Sequence, residues 1–168
     1  DFLRRRNGGG AFWSSTTFHA CLNPETGDVI VFFYTLDVTE QKLQEQLLNK
    51  IADLDYDFIM EVNVQQNTHR LISFNNSHKD TIPRQGVFQK EIRIMSNKLM
   101  DEAAQKEYLE KLDFSYMEKC LESQESYTFA VEMKDKDGEM RVKRYQVFYI
   151  NKELGRICVA RTDVTDVV

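Results

Sequence analysis

Arg161-Thr162-Asp163-Val164-Thr165-Asp166 has a shorter counterpart, Asp37-Val38-Thr39-Glu40, which begins 126 residues before Asp163. The two segments occupy the same place in a longer pattern. Three turn residues, Gly10, Asn23 and Gly27, recur 128 residues later as Gly138, Asn151 and Gly155. Shared turn spacing together with a shared Asp-Val-Thr segment indicates an internal duplication rather than a chance likeness of two hairpins.

The first copy of this pattern consists of two β segments around a turn. Residues 11–22 and 29–36 are rich in β-branched and aromatic residues, and Asn23-Pro24-Glu25-Thr26-Gly27-Asp28 separates them. This predicts an antiparallel hairpin. Because an isolated hairpin is marginal in water, residues 1–38 must pack against the following helix, the following domain or a second chain. We expect a second chain.

Residues 39–55 follow as a predicted amphipathic linker helix. Asp37 is expected to be its N-cap residue, with Glu40 at capping-box spacing. The apolar positions recur at steps of four, four and three residues, which places them in one narrow seam: Leu43, Leu47, Ile51 and Leu54. Two readings of this seam remain open, packing on its own domain or pairing with the same helix of a second chain.

The remaining sequence predicts an α+β domain in the order β-β-α-α-β-β-β. Two strands come first, then helices at residues 98–112 and 115–123, then three strands, while residues 87–96 are ambiguous. We expect a five-stranded antiparallel sheet with helices on one side. Alternating apolar residues of two strands should face one interior, which is either a ligand cavity or a filled core: Phe58, Met60, Val62, Phe129, Val131 and Met133.

These features resemble the Per-ARNT-Sim (PAS) sensor family. Asp137-Gly138 forms a tight turn between two long strands, and Asp163-Val164-Thr165-Asp166 is similar to the family's Asp-Ile-Thr-acid signature, which joins the last strand to an output helix. The segment 54–62 is similar to the opening of such a domain. The resemblance implies that residues 1–38 are the C-terminal β-hairpin of a preceding PAS-like domain, 39–55 a signalling helix and 56–166 a complete PAS-like domain.

The resemblance also implies a function. Tandem modules of this family are common in bacterial signalling proteins, ahead of diguanylate cyclase, phosphodiesterase or histidine kinase domains. We expect a homodimeric sensory module that relays ligand or conformational signals to a downstream effector domain of the same polypeptide, most simply a diguanylate cyclase. The relay would run through Asp37, Thr39, Asp163 and Thr165. The alternative is a dimerisation scaffold that binds no ligand.

We do not expect an enzyme, because the sequence contains no nucleophile, phosphate-loop or metalloprotease motif. We interpret Asp55 and Asp57 as solvated surface carboxylates. A flavin photosensor of this family would need a cysteine in an Asn-Cys-Arg-Phe-Leu-Gln setting, which the surroundings of Cys120 do not match. His69 falls on a predicted strand and His78 in a loop, so neither suits an axial haem ligand. Flavin, haem and metal are therefore not expected, and the identity of any ligand stays open.

The charged and apolar residues indicate whether nucleic acid or a membrane is an expected partner. The 22 basic and 27 acidic residues give a net charge of −5 and are well mixed, which argues against a nucleic-acid surface. No apolar run reaches the roughly 18 residues that a membrane span needs. The sequence thus predicts a cytoplasmic fragment without membrane contact, and leaves open a membrane tether elsewhere in the full-length protein.

Overall fold

The computed structural model describes residues 1–5, 8, 10–75, 82–99, 101–135 and 137–167, without the side chains of residues 52–54 and 167. The chain forms two compact units, which we call the N-terminal unit (Asp1–Leu48) and the C-terminal unit (Asn49–Val168). The boundary between the units lies inside helix α1 (Thr39–Asp55). The origin of residues 1–38 in a preceding domain stays a prediction.

The N-terminal unit contains a three-stranded antiparallel sheet in the order β1 (Phe2–Arg5), β2 (Ala11–Leu22) and β3 (Val29–Asp37). The predicted hairpin is present as β2 and β3. The prediction of two strands was incomplete, however, because β1 pairs with the start of β2, with Phe2 opposite Ser14. Phe2-Leu3-Arg4-Arg5 carries two arginines and no turn signal, so only its pairing partner identifies it as a strand.

Strand β3 is exposed along its whole length. It is an edge strand, and all nine of its residues are exposed, among them Val31 at 53% and Phe33 at 71%. Long apolar edge strands are templates for pairing with another strand. This exposure supports the expectation that the sheet requires a partner, which itself stays a prediction.

In the described residues, the C-terminal unit contains the end of α1, a six-stranded sheet and three further helices. Its strands lie in the order β6-β5-β4-β9-β8-β7, and every neighbouring pair is antiparallel. The elements are β4 (Phe58–Asn63), β5 (Thr68–Phe74), β6 (Gln85–Val87), α2 (Phe88–Ser96), α3 (Glu102–Lys111), α4 (Phe114–Ser123), β7 (Ser126–Lys134), β8 (Met140–Asn151) and β9 (Arg156–Asp163), followed by a 3-10 turn, Thr165–Val167. None of the helices described combines the length and apolar character needed to cross a bilayer.

This order corrects the predicted one at two elements. The sheet has six strands rather than five, because the three-residue β6 pairs with β5 through Gly86 opposite His69. Helix α2 occupies the region that was ambiguous in the sequence, with Phe88, Ile92 and Met95 buried at helical spacing. A strand of three residues has too little periodicity to recognise without its partner.

The helices pack on one face of the six-stranded sheet, which we call the inner face. Residues of the inner face, such as Val147 and Val159, form a single buried apolar cluster with residues of α2, α3 and α4, such as Ile92 and Met117. The prediction of an α+β unit with helices on one side is confirmed. The rest of the strand and helix order is the predicted one, β-β-α-α-β-β-β.

Candidate functional site

The first Asp-Val-Thr segment is anchored at the point where β3 leads into α1. The Asp37 carboxylate accepts hydrogen bonds from the backbone N–H of Thr39 (3.0 Å) and from its hydroxyl. The same hydroxyl accepts from the N–H of Trp13 (2.9 Å), and the N–H of Val38 donates to the Trp13 carbonyl (2.9 Å). The start of the helix is therefore attached to the neighbouring strand β2.

The position of Asp37 corrects one prediction. Asp37 ends β3, and α1 begins two residues later at Thr39, so Asp37 is not the N-cap residue by position. Its side chain binds the N–H of the first helical residue, whereas an N-cap side chain binds that of the second or third. This is the local turn that an aspartate makes with the backbone two residues on.

The second Asp-Val-Thr segment repeats the same contacts. The Asp163 carboxylate accepts from the N–H of Thr165 (3.0 Å) and from its hydroxyl. The hydroxyl accepts from the N–H of Val142 (3.0 Å), and the N–H of Val164 donates to the Val142 carbonyl (2.9 Å). Val142 thus makes the hydrogen bonds in the second junction that Trp13 makes in the first. The duplicated segments therefore share their hydrogen-bond geometry as well as their sequence.

The second junction is in contact with a chain of buried charges. The ammonium group of Lys143 lies 2.9 Å from Asp163 Oδ2 and 2.8 Å from Asp57 Oδ2. The guanidinium of Arg161 donates from Nε to the same Asp57 oxygen at 3.0 Å. We call these four residues, Asp57, Lys143, Arg161 and Asp163, the ion network.

The ion network lies between the inner face and the junction. The side chains of Asp57 and Arg161 are each 1% exposed, that of Lys143 is 5% and that of Asp163 is 20%. The Arg161 guanidinium lies 4.7 Å from the centre of the Phe58 ring and contacts the Met133 sulfur at 3.7 Å. One end of the network therefore belongs to the apolar core and the other to the first turn after β9.

Thr165 and Lys143 stabilise the negative charge of the Asp163 carboxylate. Burial opposes its ionisation, but hydrogen bonds from Thr165 and Lys143, together with the positive charge of Lys143, outweigh this effect and hold the pKa of the carboxyl well below its usual range. Asp163 is consequently ionised at neutral pH.

Acidification is expected to remove the stabilising contribution of Asp163. Because its pKa is lower in the folded state than the unfolded value of about 3.9, the contribution is present above that value and is lost as the pH falls through the folded pKa. The difference in free energy of unfolding between the wild type and Asp163→Asn should thus be largest near neutral pH and shrink below about pH 4. Urea denaturation over a pH series measures it, and a difference that stays constant would contradict the prediction.

Asp57, Lys143 and Arg161 are the functional candidates that the sequence interpretation missed. Asp57 was interpreted as a surface carboxylate, which is wrong, since it is 1% exposed and paired with two cations. A signal existed in the alternation of the strands. Lys143 lies two residues before the buried Tyr145, and Arg161 two residues after the buried Val159, so both fall on the inner-face positions of their strands.

The six residues predicted to share one interior do so. Phe129 lies opposite Tyr145, Val131 opposite Lys143, and β4 pairs with β9 so that its alternate residues join the same face. Five of the six side chains are buried, namely Phe58, Met60, Val62, Phe129 and Met133, and Val131 is half-buried. They belong to one packed cluster, and a ligand cavity among them stays a prediction.

Aromatic side chains fill the centre of this cluster. Tyr145 stacks on Phe129 with ring centres 5.0 Å apart and meets Tyr108 edge-on at 5.5 Å. The Tyr108 hydroxyl donates to the Tyr145 hydroxyl at 3.4 Å. Burial, with the nearby Tyr145 as a second cause, raises the pKa of Tyr108 well above its usual value, so the hydroxyl remains a neutral donor.

A surface cleft lies away from these six residues. It encloses about 730 Å³ and is lined by charged and polar side chains that include Glu61, Arg70 and Arg156. Arg70 and Arg156 both pair with Glu61. His69, which also lines the cleft, is buried, with its Nε2 3.1 Å from the Pro83 carbonyl. His78 lies outside the described residues.

The predicted seam of α1 is exposed in this chain. Leu43 is 56% exposed, Leu47 58% and Ile51 48%, while the side chain of Leu54 lies outside the described part of the structure. Three aligned apolar residues in contact with water leave the dimer interpretation open, and the pairing itself stays a prediction.

Comparisons with known proteins add little. No protein-family model matches the chain, and no curated protein sequence matches it. Among solved structures the chain is similar to a sensory box histidine kinase/response regulator from Burkholderia thailandensis, at 16% sequence identity and a TM-score of 0.45, over 72% of this chain and 84% of the other.

Proposed function

We propose that the chain is a sensory or regulatory module of a signal-transduction protein, which relays a conformational change through its two Asp-Val-Thr junctions. The repeated junction geometry carries this proposal. In both copies one threonine hydroxyl joins the end of a strand, the start of a helical segment and the neighbouring strand. A displacement of the sheet at this point must therefore change how the following helix begins.

The relay would act by altering helix entry. In the first copy the segment after Asp37 is α1, whose 17 residues carry the exposed apolar seam. A small shift of the β2 and β3 ends would rotate or translate the first turn of α1, and packed helices respond to such shifts by changing between discrete arrangements. In the second copy the 3-10 turn Thr165–Val167 would pass the change onward.

The effector that fits this proposal is a downstream domain of the same polypeptide, and we propose a diguanylate cyclase, with a histidine kinase as the other candidate. Support comes from the resemblance of the Asp-Val-Thr segments to the PAS signature. The catalytic activity would belong to the effector, and the module would regulate it from the cytoplasm.

The proposal predicts that output depends on Asp163. In the full-length protein, Asp163→Ala removes the carboxylate that binds Thr165 and Lys143, so the helix entry loses its anchor. We expect the change in output between the stimulated and unstimulated protein, measured as product formed by the effector, to fall about tenfold, which corresponds to roughly 1.4 kcal/mol of lost coupling. Asp166→Ala, which changes an exposed neighbouring acid, is the control, and an unchanged response of Asp163→Ala would refute the relay.

A second candidate function, a dimerisation scaffold without ligand, is favoured by the exposure of Leu43, Leu47 and Ile51. Native mass spectrometry separates the two functions. A co-purified small molecule supports sensing, whereas an empty dimer supports the scaffold. In either case Leu47→Glu should weaken the dimer by placing a charge in the seam. Gln41→Glu, which places the same charge at an exposed position on the other side of the helix, should not.

A further inference from the structure

The surface cleft of the C-terminal unit lies on the outer face of the six-stranded sheet, the face opposite the helices. Met60 and Val62 of β4 belong to the inner face. Because side chains alternate along a strand, Glu61 between them belongs to the outer face. Arg70 lies opposite Glu61, and Gln85 lies opposite Arg70. One row of cross-strand neighbours therefore runs from the edge strand β6 to β4.

A second row of neighbours lies beside the first, two residues along each strand. Asn63 of β4 lies opposite both Thr68 of β5 and Arg156 of β9, and Val87 of β6 lies opposite Thr68. Both rows line the cleft, which encloses about 730 Å³. Small-molecule sites commonly have volumes of roughly 300–1,000 Å³. The outer face of an antiparallel sheet is often polar because it meets water, but here the polar side chains surround a concave space.

The charged side chains of this lining are two arginines and one glutamate. Arg70 Nε lies 3.1 Å from Glu61 Oε2, and Arg156 Nη1 lies 3.4 Å from Glu61 Oε1. One carboxylate therefore holds both guanidinium groups, one at each oxygen. Two positive charges and one negative charge give the described lining a net charge of +1 with histidine neutral, whereas the whole chain carries −5.

The two arginines have more N–H donors than their contacts with Glu61 use. In the described residues, Arg70 donates to Glu61 from Nε and Nη2, and Arg156 contacts Glu61 through Nη1. The planar guanidinium fork binds the paired oxygens of a carboxylate or a phosphate. The Arg70 side chain is 66% exposed and that of Arg156 is 38% exposed. An anion from solution can therefore reach both groups.

We propose that this cleft is a binding site for a small polar molecule that carries one oxyanion group, a carboxylate or a phosphate. Arg70 and Arg156 bind the oxyanion, and Glu61 holds the two guanidinium groups beside each other. The negative ligand offsets the positive charge of the lining. Thr68 and Gln85 offer hydrogen bonds to the rest of the molecule. Binding here does not depend on the proposed relay through the Asp-Val-Thr junctions.

The test is an NMR titration of the 168-residue chain with two probes, sodium acetate and inorganic phosphate. The backbone amides of Arg70, Gln85 and Arg156 should shift and saturate with at least one probe, and the probe that saturates identifies the oxyanion. Sodium chloride at equal ionic strength is the blank, because screening alone follows ionic strength. No saturation with either probe up to about 50 mM, a range that covers millimolar dissociation constants, would overturn the proposal.

Arginine variants show whether the cleft is the site. Arg70→Gln and Arg156→Gln should each weaken binding at least about tenfold, because each removes charged hydrogen bonds to the oxyanion. Arg144→Gln makes the same change at an exposed position of β8 that does not line the cleft, and it should alter the dissociation constant by less than about twofold. Each constant comes from a titration of that variant, so shifts caused by the substitution itself do not enter.

Two results with these variants would contradict the site. Either Arg70→Gln or Arg156→Gln could keep the wild-type affinity, or all three variants could lose affinity equally, as a general effect of charge would require. The amide spectrum of each variant checks its fold. If Arg156→Gln does not fold, Arg156→Lys keeps the charge and removes the fork, and it too should bind the probe more weakly than the wild type.

Discussion

Replacing Asp57 with alanine is expected to lower the free energy of unfolding of the C-terminal unit by about 3–5 kcal/mol, the cost of removing one partner from a buried ion pair. Asp57 accepts from both Arg161 and Lys143, and all three side chains are at most 5% exposed. Without the carboxylate, two positive charges remain in a region with little water. Their mutual repulsion adds to the lost attraction.

The measurement is chemical denaturation followed by near-ultraviolet circular dichroism, since buried tyrosines such as Tyr108 and Tyr145 lie in this unit. Asp55→Ala is the matched control, because it removes the same group two residues away at an exposed position and should change stability by less than about 0.5 kcal/mol. If Asp57→Ala lowers the free energy of unfolding by less than about 1 kcal/mol, water reaches the ion network and its ion pairs add little stability, as surface pairs do.

Replacing Tyr145 with alanine should lower the free energy of unfolding by a similar amount, about 3–5 kcal/mol, as for other large aromatic side chains removed from a core. Tyr145 is completely buried and contacts Phe129, Tyr108 and Phe58 with ring centres 5.0, 5.5 and 6.3 Å away. The cavity would open directly beside Arg161, which lies opposite Tyr145 across β8 and β9.

Tyr145→Phe is the control for this prediction, since it keeps the ring and removes only the hydroxyl. It leaves the buried Tyr108 hydroxyl without its Tyr145 acceptor, at a cost of about 1–3 kcal/mol. The same denaturation experiment compares the two variants. Equal losses for alanine and phenylalanine would mean that the hydroxyl pair, and not ring packing, holds the centre of the core.

Local patterns were enough for much of the fold. The hairpin of residues 11–36 follows from two β-rich segments and one turn, and the inner face follows from strict alternation in β4 and β7. The spacing of the Asp-Val-Thr segments also located both junctions. These features depend on residues near one another in the sequence, which is why they could be predicted.

Other features depended on partners that are distant in the sequence. β1 and β6, of four and three residues, are strands only because β2 and β5 pair with them. Trp13 and Val142 became parts of the junctions through strand register, which no local pattern specifies. Asp57 and Arg161 are separated by 104 residues. The sequence around either residue contains no signal that would predict the other as its partner.

The sequence alone determined the repeated Asp-Val-Thr segments, the strands that lead into them and the face on which the apolar residues of the second copy lie, because turn chemistry and side-chain alternation are local properties. Only the tertiary structure decided that Asp57, Lys143 and Arg161 meet beside Asp163 at the second junction. The reason is physical: a buried charge is stable only beside opposite charges, and the fold of β4, β8 and β9 brings those charges together.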